Sequence, residues 1–158
     1  MTSSTGSLSP AWQEALSTIE RRKNSPVLLP MAVGALVSLF EAGQTQDGCI
    51  RFTDFERATR DLAKTKGVAL KSGPWMPYAV LAGQLGVLQC LSISGDQPVN
   101  LQGPSRPKGR KALLAQTETA RVTESLAGDL CSSTARSTLS QWVDRMTAAS
   151  RQPTSSQD

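Results

Sequence analysis

The order of local signals across residues 49–101 constrains this chain more than any other feature. Residues 49–52, Cys-Ile-Arg-Phe, read as a short strand. Thr53 then opens a helix with Glu56 three residues on. That is capping-box spacing, in which the Thr hydroxyl and the Glu carboxylate each satisfy an orphan backbone N–H. The helix is expected to run to about Lys64, with Phe55, Ala58 and Leu62 inward and Arg57, Arg60 and Lys64 on another face. A second helix starts near Pro77, keeps Tyr78, Leu81 and Leu85 at helical spacing, and stops at Gly86. Residues 87–93 and 98–101 are strand-like and joined through Ser94-Gly95-Asp96-Gln97, which predicts a hairpin.

Two helices precede this unit. Ser9-Pro10 supplies a cap and a proline at the first helical position, and Trp12, Leu16 and Ile19 follow on one face. Ser25-Pro26 begins a helix that is expected to reach Ala42 and stop at Gly43. Its Leu28, Leu29, Val33, Leu36, Val37 and Phe40 are apolar almost all round, which predicts the central buried helix. Gly34 in its interior lowers helix propensity and admits a close neighbour.

Helices, a strand, two more helices and a hairpin predict a mainly α (α+β) fold, winged-helix-like, over residues 9–102. Residues 1–8 and 151–158 read as disordered tails. Residues 103–111, with two prolines and two glycines, read as an exposed basic linker. Residues 112–150 are expected to be a helical segment. In it, Leu113, Leu114, Val122, Leu126 and Leu130 form an amphipathic, Thr-rich stretch, and Leu139, Trp142, Val143 and Met146 form the stripe of a last helix.

Charge is distributed unevenly. Positions 51, 57, 60, 64, 66 and 71 are Lys or Arg, against acids at 54, 56 and 61 only. Arg106, Lys108, Arg110 and Lys111 follow with no acid among them. Nucleic acid is the obvious acidic partner for such a surface, and solubility is the plain alternative. Three widely spaced cysteines and no histidine argue against a zinc site, so no metal or other cofactor is expected. The longest apolar stretch, residues 27–40, is too short to span a bilayer, and the N-terminus lacks a signal peptide's charge and apolarity. A soluble, cytoplasmic protein with no membrane partner is the expectation.

Catalysis is not expected. Without histidine there is no Ser/His or Cys/His couple, and no G-x-S-x-G turn appears. Asp54, Glu56 and Asp61 are explained by capping and by pairing with Arg57 and Arg60. The cluster Pro74-Trp75-Met76-Pro77-Tyr78 is more distinctive. It makes a stiff apolar corner ahead of a helix N-terminus, where N–H donors face anions. It serves equally as a core corner that anchors the fold.

At this corner the chain resembles the sulfur-binding domain that accompanies HNH nuclease modules in restriction enzymes recognising phosphorothioated DNA. Four short matches carry the resemblance. They are Lys23-Asn24-Ser25-Pro26-Val27-Leu28-Leu29, Ile50-Arg51-Phe52, the Pro74–Tyr78 run with Leu81, and Gly86-Val87-Leu88. Together they span residues 23–93. The resemblance implies that Met76, Pro77 and Tyr78 touch a modified linkage, with Arg22, Lys23, Asn24 and Ser25 close to it. The chain departs from the family at Met76, Val80 and Leu85, and no nuclease module is present.

The expected function is therefore non-catalytic DNA binding, as a subunit of a bacterial restriction-modification or antiviral defence system. Candidate contacts are Arg22, Lys23, Asn24, Ser25, Met76, Pro77, Tyr78, Arg106, Lys108, Arg110 and Lys111. The alternative is a protein–protein interaction or oligomerisation module, with residues 112–149 supplying a homodimer helix or folding back onto the domain.

Overall fold

A computed structural model describes residues 8–21, 28–43, 45, 48–70, 75–94, 97–101 and 108–151. The architecture is mainly helical, with one small antiparallel sheet. The helices are α1 (Pro10–Arg21), α2 (Leu28–Glu41), α3 (Phe52–Thr65), α4 (Trp75–Gly83), α5 (Arg110–Leu114), α6 (Glu124–Leu130) and α7 (Ser133–Arg151). The strands are β1 (Cys49–Arg51), β2 (Leu88–Ser92) and β3 (Thr117–Val122). No described helix is long and apolar enough to cross a membrane.

The core is built around α2. Eleven of its 14 residues are buried, as its all-round apolar sequence requires. Helices α3, α4, α6 and α7 all pack against it. Gly34 lets two of them close in. A methyl of Leu62 on α3 occupies the space a Cβ would fill, and Val143 on α7 lies 3.5 Å from the same point. Helix α1 is fastened at both ends of its buried stripe. The Trp12 indole N–H donates to the Leu126 carbonyl (3.0 Å), and the Trp142 indole N–H donates to a Glu20 carboxylate oxygen (2.7 Å).

The sheet has the order β1-β3-β2. Ile50, Ala120 and Cys90 form one cross-strand row, all buried, facing the core. The adjacent row, Cys49, Arg121 and Gln89, turns the other way, as strand alternation demands. Thr123 closes the end of the sheet: its hydroxyl donates to the Gly86 carbonyl (2.6 Å) and its amide to the Val87 carbonyl (3.0 Å). Gly86 itself sits at φ +70°, a conformation glycine adopts without strain.

Three expectations need correcting. The hairpin between residues 87–93 and 98–101 shrinks to one bridge, Leu91 to Pro98, flanked by two backbone hydrogen bonds. The full partner of β2 is β3, and the turn residues 95–96 lie outside the described residues. Residues 112–150 are not helical throughout, because residues 117–122 form the middle strand of the sheet. In Thr-Glu-Thr-Ala-Arg-Val, the β-branched Thr117, Thr119 and Val122 and the pairing with β1 and β2 outweigh the helical spacing of the flanking leucines. Thr53 and Glu56 form no capping box. Helix α3 begins at Phe52, its cap residue Arg51 has no side-chain cap bond, and the Glu56 carboxylate is engaged elsewhere. The apolar stripe of α7 is covered by the chain itself, with Leu139, Trp142 and Val143 at most 1 % exposed. The expected tails largely lie outside the described residues; Leu8, inside them, is buried, and residue 151 ends α7.

Candidate nucleic-acid interface

One arginine from α3 and one from α5 meet at one acidic side chain. Glu56 projects from the first turns of α3 with its side chain only 7 % exposed. Its carboxylate accepts two hydrogen bonds from Arg110 at the start of α5: Nε to Oε2 at 2.9 Å and one Nη to Oε1 at 3.1 Å. Arg60, one turn further along α3, reaches the same Oε2 at 3.4 Å. The guanidinium groups of Arg60 and Arg110, from two helices far apart in sequence, thus converge on a single oxygen. Both remain half-exposed, at 58 % for Arg60 and 49 % for Arg110. Hydrogen bonding to Glu56, and then its charge, push the Arg110 pKa above the ordinary guanidinium value.

A paired carboxylate this shielded needs compensation for lost hydration, and two cations provide it. Phe52 supplies the floor. The Arg110 guanidinium lies 5.6 Å from the Phe52 ring centroid, a cation–π distance. The same ring also belongs to the core: Tyr78 meets Phe52 edge-on at 4.9 Å and Phe55 at 5.1 Å. The apolar corner and the basic corner inferred from the sequence are therefore neighbours, separated by one phenyl ring.

Six of the eleven candidate contacts lie among the described residues. Lys108 and Lys111 are exposed and flank Arg110. Arg110 is present at the same corner but is tied to Glu56. Met76 is half-buried, Pro77 is buried and Tyr78 is fully buried. Tyr78 thus has no surface to offer a ligand, which corrects its assignment as a contact. It faces Cys90, and burial above all pushes its phenol well beyond the ordinary value. Burial likewise pushes the Cys90 thiol up to about 11, against the lowering influence of the Thr117 and Tyr78 hydroxyls. Arg22, Lys23, Asn24, Ser25 and Arg106 lie outside the described residues, as does Pro74.

Along α3, Arg57 pairs with Asp54 at 3.7 Å, while Lys64 is exposed. Lys66 pairs with Asp144 of α7. Arg51, Lys64, Lys108, Lys111, Arg121 and Arg145 make no ion pair with another described residue. Helix α4, by contrast, is Trp-Met-Pro-Tyr-Ala-Val-Leu-Ala-Gly, with no charged side chain at all. It has nothing with which to read the donor and acceptor pattern of base edges.

Sequence reasoning missed two features. It treated Glu56 as a cap because Arg110 is 54 residues distant and no local pattern announces the pairing. It also overlooked Arg121, which stands on the exposed face of β3 and lines a groove of about 640 Å³ with Gln89, Thr123 and Glu124. The alternation of Ala120, Arg121 and Val122 was the available signal. Compared with known proteins, the chain matches no family model and no curated sequence.

Proposed function

We propose that this chain is a non-catalytic, winged-helix-like DNA-binding protein that grips the phosphate backbone of a duplex with its α3–α5 corner. The order α2-β1-α3-α4-β2-α5-β3 and the sheet order β1-β3-β2 support a winged-helix reading, with the described part of the β2–β3 connection, α5 included, in the place of the wing. The observation that carries the proposal is the Glu56–Arg110 link. It fastens the basic wing residues Lys108, Arg110 and Lys111 beside the Arg57, Arg60 and Lys64 face of α3. Phosphate contacts of this kind give affinity and register with little sequence information. The uncharged α4 argues in the same direction, since the helix that would enter a groove has no base-reading side chains. The resemblance to a phosphorothioate-binding domain supports a place in a restriction or defence system, holding DNA for a separate nuclease.

Fluorescence anisotropy with a labelled duplex tests this at several salt concentrations. Log Kd should rise linearly with log salt, with a slope of about 0.9 for every phosphate neutralised. Two unrelated duplexes of equal length should bind alike. Replacing Lys108 and Lys111 with Gln should lower the slope by up to about 1.8. Binding that ignores salt, or none at low salt, would refute the proposal.

A further inference from the structure

We infer that Glu56 is a positioning residue: its carboxylate sets the Arg60 and Arg110 guanidinium groups side by side as a two-pronged clamp for consecutive phosphates. This deepens the DNA-binding reading and rests on it. An acidic side chain within a polyanion-binding surface is otherwise a liability, since it repels the ligand. Here the geometry gives it a use. Arg110 commits Nε and one Nη to Glu56, which leaves the other Nη edge of the fork free to donate outward. Arg60 approaches through a single Nη at 3.4 Å and keeps its remaining donors. A guanidinium fork already held in place has little rotamer freedom left to lose when an oxyanion arrives. The Phe52 ring restrains Arg110 from a second side. The clamp unites two elements that the chain connects only through a long excursion across β2.

Positioning by Glu56 and net charge alone give opposite signs for one substitution. Glu56→Gln adds one positive charge to the surface. If only net charge matters, the variant binds duplex DNA more tightly than the parent protein. If Glu56 positions the arginines, affinity falls by about 3- to 10-fold despite the gain in charge, and the salt slope drops toward that of a protein making two fewer phosphate contacts, by about 1.8. Arg60→Gln and Arg110→Gln should each cost affinity in the parent. Their effects should be coupled there and additive in the Glu56→Gln background. Circular dichroism and melting temperature report whether Glu56→Gln is folded. Should it not fold, Arg110→Lys answers the same question, since it keeps the charge but cannot make the fork. It should weaken binding several-fold and lower the slope. A Glu56→Gln variant that is folded and binds as well as the parent or better overturns the clamp while leaving DNA binding intact, as does a fully active Arg110→Lys. A parent protein that fails to bind duplex DNA at low salt overturns both.

Discussion

Trp142→Ala is the most direct test of how the C-terminal helix is used. The indole is fully buried, and its N–H donates to Glu20 at 2.7 Å. Burying an aromatic side chain removes about 150–250 Å² from water. At about 25 cal/mol per Å² that amounts to roughly 4–6 kcal/mol. Measured truncations of buried Phe and Trp to Ala cost about 3–5 kcal/mol, because part of the cavity collapses. The lost hydrogen bond adds little, since Glu20 is exposed and water replaces the donor. For a chain of this length each kcal/mol lowers Tm by about 2–4 °C, so Trp142→Ala should melt about 6–20 °C below the parent. The neighbouring exposed Gln141→Ala should stay within about 0.5 kcal/mol. Scanning calorimetry at two protein concentrations supplies the readout. Since α7 is covered by its own chain, Tm should not depend on concentration. A loss below about 1 kcal/mol, or a Tm that climbs with concentration, would refute the intramolecular packing of α7.

Two further outcomes follow from the core. Gly34→Ala should be near neutral, because the displaced Leu62 methyl is the end of a half-buried side chain and helix propensity gains about 1 kcal/mol. Gly34→Val should cost about 1–3 kcal/mol in urea unfolding and be rescued in part by Leu62→Ala; an equal cost in both backgrounds would refute the contact. Because the folded Cys90 thiol titrates near 11 against an ordinary 9.0, the fold favours its neutral form. That contribution is complete below pH 9 and lost as pH rises toward 11, with Tyr78 acting in the same direction above 10. Urea midpoints should therefore drop between pH 8 and 10.5, less steeply in Cys90→Val. At pH 8 iodoacetamide should modify exposed Cys131 first and Cys90 only on unfolding; early labelling of Cys90 would contradict its burial.

Local signals carried much of this fold. Pro10 and the Trp12, Leu16, Ile19 spacing matched α1, although the Ser9 hydroxyl makes no capping hydrogen bond, and the continuous apolar run marked α2 as central. Gly34 was legible as a point of close approach because a glycine inside such a helix costs stability without another purpose. The failures were non-local. Whether Thr-Glu-Thr-Ala-Arg-Val becomes strand or helix depends on β1 and β2, which offer it two open edges from opposite sides. Glu56 had a correct local pattern for a cap, but a bidentate arginine is a stronger partner than a backbone amide one turn away. The aromatic corner at residues 75–78 was recognised as unusual, yet only packing could divide it, with Tyr78 and Pro77 inside and Met76 at the margin. Charge totals likewise gave the surface its sign and left open which arginines are occupied by acids.

The sheet order also bears on how the molecule comes off the ribosome. The middle strand is the last of the three to be made, 66 positions after the end of β1 and 25 after the end of β2. Until residues 117–122 emerge, both outer strands present unsatisfied edges to solvent or to a chaperone, and α2 lacks the α6 and α7 surfaces that cover it. The nascent chain cannot complete the sheet before residues 117–122 have emerged, so truncations upstream of β3 should expose strand edges that favour aggregation.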